Sequence, residues 1–507
     1  MTLVSSFSKT FQNYANKVGI EFNGRKVTFG AINRNANKVA NALGNIFVNK
    51  PDRVALFLAN NLELIYFFTG ILKNGSIVVP MNTYFKEEEA KYMLNNSGAK
   101  VILTDNERLP IIRNILKELK ELKYIITTNS NKNSAKVNSI EFIDFNEFIK
   151  DASDKEPDIG VADEDGSVMF YTSGTTGKCK GALLSHKNME SDLKALKQTW
   201  YLTDKDKLIL TLPLYHIHGL GVALCSSFYN GYSVVLRKKF DAEEVLKLIQ
   251  EKQCTLFMGV PTMYIKILEV KEKYDISSMR LFISGSAPLS AETFKEFKET
   301  FGHEVLERAG MSETNMNFSN PYHGKRRPGT VGLPLPGVQV KIVDNNFNPV
   351  NNGKEGEILL KGPNVFKGYW NDEEKTKESF HDGWFITGDI GKIGVDGYVT
   401  FLGRSKDLII SGGLNIYPVE VEEVINSHPL VLESAVVGIP DKYFGEAVKA
   451  FVVLRDSIKV SEKEIISYCK QKIASYKKPK YVEFIKALPR NGMGKVQKNV
   501  LRENKFH

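Results

Sequence analysis

Tyr171–Gly181 reads YTSGTTGKCKG and follows the apolar run SVMF (167–170). An apolar strand that opens into Gly, Ser, Thr and Lys has three readings: a linker, a redox site or a phosphate cradle. The three glycines let the backbone approach a ligand closely, and its N–H groups then form a nest for an anion. Ser173, Thr175 and Thr176 add hydroxyl donors, and Lys178 and Lys180 add positive charge. A Walker A loop has a different spacing of its glycines and lysine. A linker would not carry so compact a TSGTTG run, and a single cysteine, Cys179, makes no redox pair. The stretch is read as a phosphate-binding loop.

The surrounding chain alternates strand and helix patterns. SIVVP (76–80), AKVILTD (99–105) and TLFMGVP (255–261) read as buried strands. DAEEVLKLIQEKQC (241–254) reads as an amphipathic helix capped by Asp241, and MRLFISGSAPLSAETFKEFKETFG (279–302) repeats the order strand, loop, helix. Such alternation gives an α/β class, with parallel sheets flanked by helices. Thr127–Ser139, rich in Asn, Lys and Ser, reads as a surface loop. From about Val395 short strands and glycines take over. The division is set at 1–402 for a large N-terminal domain, 403–406 for a hinge and 407–507 for a small mobile α+β domain.

With 507 residues, 42% hydrophobic and 10% aromatic, the chain can bury a large core. No apolar run is long enough to cross a bilayer, so no stable membrane insertion is expected. The first twenty residues lead into ordinary domain sequence and are not read as a targeting segment, which makes the cytoplasm the default location. The net charge of +9 comes from lysines spread along the chain, without a nucleic-acid motif, and suits anionic small molecules. The four cysteines form no C-x-x-C pair, so structural zinc is not expected.

The phosphate loop resembles that of the adenylate-forming superfamily, which includes acyl-CoA synthetases, adenylation domains and luciferases. Further segments match that family in order: LPLYHIHGL (212–220), SGSAPL (284–289), AGMSE (309–313), GWFITGD (383–389), GRSKDLIISGGLNIYPVEVE (403–422) and PRNGMGK (489–495). The resemblance implies a two-step ligase with ATP, CoA and a carboxylic acid as small-molecule partners and Mg2+ as cofactor. A carboxylate attacks the α-phosphorus of ATP and releases pyrophosphate; a thiol then displaces AMP. It also implies the roles that follow. Thr172, Ser173, Gly174, Thr175, Thr176, Gly177 and Lys180 hold phosphate, and Glu313 with Thr176 holds Mg2+. Ala287 and Ser312 line the nucleotide, Asp389 accepts from the ribose hydroxyls, and Arg404 reaches ribose or phosphate. Lys495 is the catalytic lysine, Lys406 the hinge, Gly412 and Gly413 the wall of the pantetheine tunnel, and His216 a gate between acid and thiol.

Within the superfamily, GVPTMY (259–264) and ERAGMSETNMNFSNPYHGKRRPGTVGLPLPGV (307–338) resemble malonyl-CoA synthetases. A short dicarboxylate brings a second anion, whose burial requires a cation. Lys266 is the first candidate for it and Arg280 the second. Fatty-acid or aryl-acid ligases, and an enzyme loading a carrier-protein pantetheine, are the alternatives. Monomer and homodimer both stay open. Two residues depart from the family pattern. Cys179 stands where proline is usual, and between two lysines its thiol is expected to have a lowered pKa. Ala309 stands where an aromatic residue usually stacks on adenine.

Overall fold

The computed structural model describes residues 2–128, 135–137, 139–172, 179–455, 460–491 and 496–503. Two nine-stranded sheets form the larger part. In one, strands Val18–Phe22, Ser233–Leu236, Lys207–Leu210, Leu256–Gly259, Leu281–Ser284 and Leu306–Met311 run parallel side by side. In the other, Gly166–Thr172, Ile77–Pro80, Arg53–Phe57, Val101–Thr104, Tyr124–Thr127 and Ile140–Asp144 do the same. Parallel strands need both faces covered, which their continuous Val, Ile and Leu runs anticipate. Helix Leu62–Lys73 is buried at every residue except Glu63 and is correspondingly apolar over most of its surface.

The expected elements are present. Asp241 caps helix Ala242–Lys252, its side chain accepting from the Glu244 N–H at 2.9 Å. The segment 279–302 gives strand Leu281–Ser284 and helix Ala291–Phe301. The reading of Thr127–Ser139 as wholly loop is corrected: Ala135–Val137 is an edge strand, antiparallel to Ile140–Asp144. Leu3, Phe7 and Phe11 of helix Leu3–Asn13 are packed into the core, so the N-terminal segment is part of the domain.

A third, five-stranded antiparallel sheet includes Trp384–Ile393 and Val399–Arg404. One turn of 3-10 helix, Ser405–Asp407, leads to a fourth sheet of five strands, in which Ile409–Ser411 and Leu414–Ile416 form a hairpin. Its two-residue turn is Gly412–Gly413, with φ of 57° and 77°. Two positive φ values in a two-residue hairpin loop demand glycine. Among the described residues no helix is long and apolar enough to cross a membrane.

Candidate active site

The phosphate-loop segment leaves and re-enters the second sheet through paired strands, with Thr172 opposite Lys180. Ser173, Gly174, Thr175, Thr176, Gly177 and Lys178 lie outside the described residues, as does Lys495. On its other edge, strand Lys180–Ser185 pairs with Gly368–Tyr369. That pairing carries Tyr369 to the site: its ring centroid lies 5.6 Å from Lys180 Nζ, and its hydroxyl donates to Glu313 Oε1 at 2.9 Å. Glu313 is 6% exposed. Burial raises its pKa, partly offset by the Tyr369 hydrogen bond and the Arg404 charge.

Asp389 and Arg404 stand opposite each other on neighbouring strands, with Arg404 Nε 2.8 Å from Asp389 Oδ1. Arg404 also donates to the Thr387 carbonyl at 3.0 Å. The electrostatic coupling of Asp389 and Arg404 with Glu313 places all three in one neighbourhood. Ala287 and Ser312 are half-buried, and Ser286 beside Ala287 has a φ of 72°, a strained backbone for a residue with a side chain. Ala309 is buried against Phe318 and Val331.

A second group of side chains surrounds His216. Burial pushes its imidazole down to about 3, so the ring is neutral, and Nε2 has no hydrogen-bond partner. His218 is buried nearby, its Nδ1 3.2 Å from Ser286 Oγ and its Nε2 unpartnered. His218 opens a π-helical turn, His218–Leu224, a rare conformation often found at functional sites. Behind Ser286 lies Arg308, 4% exposed, with Nε and Nη2 unpartnered. A Cβ on Gly285 would fall 2.5 Å from the Arg308 guanidinium carbon, so glycine lets the guanidinium lie against the backbone there. Burial lowers Arg308 to about 10, which leaves it charged at neutral pH, and its positive charge helps hold His218 neutral. Asp192, also buried, faces Arg308, but burial pushes its carboxyl well above the usual carboxylate range, and it accepts from Asn315 at 2.7 Å and from the Met316 N–H at 3.2 Å.

Three expectations change. Arg280 is already engaged elsewhere: its Nε and Nη2 each meet an Asp206 carboxylate oxygen at 2.6 Å, and it also donates to the Trp200 and Tyr201 carbonyls. Lys266 is on the exposed face of helix Pro261–Leu268, while Tyr264 and Ile267 face inward. The Cys179 thiol is raised, not lowered, because burial and the nearby Glu89 carboxylate disfavour the thiolate. Lys406 is exposed in the 3-10 turn, and Gly412 and Gly413 are exposed at the hairpin tip. Sequence reading missed Arg308, His218 and Tyr369. Arg308 had a signal, a cation inside the strand that runs into AGMSE; Tyr369 had none.

The AMP-binding enzyme family matches residues 7–370, and its C-terminal domain matches 420–495. The chain belongs to the AMP-binding enzyme family. A long-chain-fatty-acid–CoA ligase of Bacillus subtilis (strain 168) is 34% identical over 527 residues, covering 99% of this chain and 94% of that protein. A malonate–CoA ligase of Arabidopsis thaliana is 34% identical over 489 residues, covering 90% and 78%. The crystal structure of ATP-bound MatB from Rhodopseudomonas palustris superposes with a TM-score of 0.91 at 39% identity, covering 99% of both chains. This AMP-binding enzyme is an AMP-forming acid–CoA ligase with the adenylate-forming fold.

Proposed function

We propose that this ligase activates malonate or methylmalonate. The observation that carries the proposal is Arg308, a buried guanidinium with unpartnered Nε and Nη2 beside His218 and Ser286. An apolar acyl chain would leave that cation unpaired, a costly arrangement away from water. A short acid with a second carboxylate satisfies it, and Arg presents two donors in a geometry matched to carboxylate. The Arabidopsis malonate–CoA ligase supports this reading. The Bacillus subtilis relative favours the second one, a long-chain fatty acid.

In the first half-reaction the reacting carboxylate oxygen bonds to the α-phosphorus, and the bond to pyrophosphate breaks. Lys180 and Thr172, with the intervening segment 173–178, neutralise the phosphates. Lys495 screens the approach of the two anions. Asp389 accepts from the ribose, Arg404 orients Asp389, and Ala287 and Ser312 border the nucleotide. Glu313 suits Mg2+: it is a buried carboxylate whose charge lacks solvent, and Tyr369 fixes one of its oxygens. With Thr176 it would hold that ion, which supplies charge neutralisation between phosphates.

In the second half-reaction the CoA thiol attacks the acyl carbon, and the carbon–oxygen bond to AMP breaks. His216, neutral and unpartnered, stands as the gate on that path. Rotation about Lys406 would bring the bare Gly412–Gly413 turn to the pantetheine arm. A panel of malonate, methylmalonate, acetate and octanoate with CoA tests the assignment. Malonate or methylmalonate should give the highest kcat/KM; octanoate above both would replace the reading by the fatty-acid one.

A further inference from the structure

Both strands that flank the phosphate-loop segment are tied to one helix, Glu87–Ser97. On the incoming side, Tyr171 donates its hydroxyl proton to Asn96 Oδ1 at 2.7 Å. On the outgoing side, Tyr92 donates to the Cys179 carbonyl at 2.9 Å. The Asn96 carbonyl also accepts from Asn371 at 3.4 Å, and the Gly181 carbonyl accepts from the Trp370 N–H at 2.7 Å. The helix therefore grips the stem where the strand ladder stops, since the last ladder pair is Thr172 with Lys180.

We propose that Tyr92 is a positioning residue for the adenylation step, fixing the Cys179–Lys180 peptide at the exit of the phosphate-loop segment before ATP arrives. Cysteine leaves φ free at a position where a proline would fix it. The Tyr92 hydroxyl supplies a restraint from outside the loop, acting on the carbonyl that joins Cys179 to Lys180. Ordering the backbone in advance removes that cost from nucleotide binding. The half-buried Tyr92 hydroxyl titrates above its ordinary range, because burial disfavours the phenolate, and so remains a donor. The proposal rests on the reading of 172–180 as the phosphate grip. It confines the effect of Tyr92 to the step that handles a triphosphate, because pyrophosphate has left before the thiol enters.

The experiment uses the full chain with whichever acid of the panel above turns over fastest. KM for Mg-ATP is measured by acid-dependent pyrophosphate exchange, and the reaction of preformed acyl-adenylate with CoA is timed separately. Tyr92→Phe should raise KM for Mg-ATP about tenfold, the loss of one hydrogen bond, and leave the thioester-forming rate unchanged. Adding Cys179→Pro to Tyr92→Phe should recover roughly threefold or more of that loss, through the fixed φ. An unchanged KM, an equal loss in both half-reactions, or no recovery in the double variant overturns the proposal. Lys180→Ala serves as the control: an ordinary KM for Mg-ATP in that variant removes the phosphate-grip reading itself, whatever Tyr92 does.

Discussion

On the proposed assignment, the nucleotide end and the acid end of this site differ in how their charges are satisfied. At the nucleotide end Glu313 has Tyr369, and Asp389 has Arg404, before any ligand binds. At the acid end Arg308, His216 and His218 each keep at least one buried nitrogen without a partner. A site of the first kind is preorganised and binds what every family member binds. A site of the second kind carries a deficit that only a ligand of the right charge removes, so selectivity resides there.

The sharpest way to break this contrast is Arg308→Leu. It should lower kcat/KM for malonate by about 100-fold or more, since a hydrogen-bonded charge contributes up to about 3 kcal/mol. Acetate should lose less than about threefold on the same scale. Equal losses for both acids would remove the asymmetry. Lys266→Ala, from an exposed helix face, should leave the ratio unchanged.

A smaller effect is expected from Ala309→Tyr. A stacked base gains about 1–3 kcal/mol in other nucleic-acid sites, so KM for ATP should fall about tenfold. A higher KM would mean that Phe318 and Val331 leave the ring no room. Smaller again is Tyr369→Phe. Its hydroxyl hydrogen-bonds the ionised Glu313, so removing it should raise a carboxyl that burial has already raised. Metal-dependent activity should then be lost at a higher pH than in the parent as pH falls, because the protonated acid no longer binds a cation. A pH profile of KM for Mg-ATP checks this; a limb shifted to lower pH contradicts it. The smallest effect concerns Cys179. Its raised thiol should react with iodoacetamide at pH 7.5 more slowly than a free cysteine, and a faster rate would show that the flanking lysines prevail over burial.

Much of this was legible in the chain. Strand-helix alternation gave the parallel sheets, because burying both faces forces continuous apolar runs. The TSGTTG stretch and the ordered motifs carried the reaction class. The cation proposed to bind the acid was not legible. Arg280 and Arg308 are both arginines next to or in strands, and what separates them is Asp206, which meets one and not the other. That pairing depends on which strands become neighbours. Cys179 shows the same limit: two lysines adjoin it in sequence, but in space Glu89 and the burial of the thiol decide its charge.

Arg308 and Glu313 lie on one strand, Leu306–Met311, and the turn that ends it. The residues proposed to read the acid and to hold the metal therefore share a single piece of backbone. On the proposed assignment, a carboxylate drawn to Arg308 acts on the strand that runs to Glu313, and reciprocity makes any such coupling mutual. Substrate and nucleotide should then bind synergistically, each raising the affinity of the other, and a wrong acid would be felt as a weaker grip on ATP.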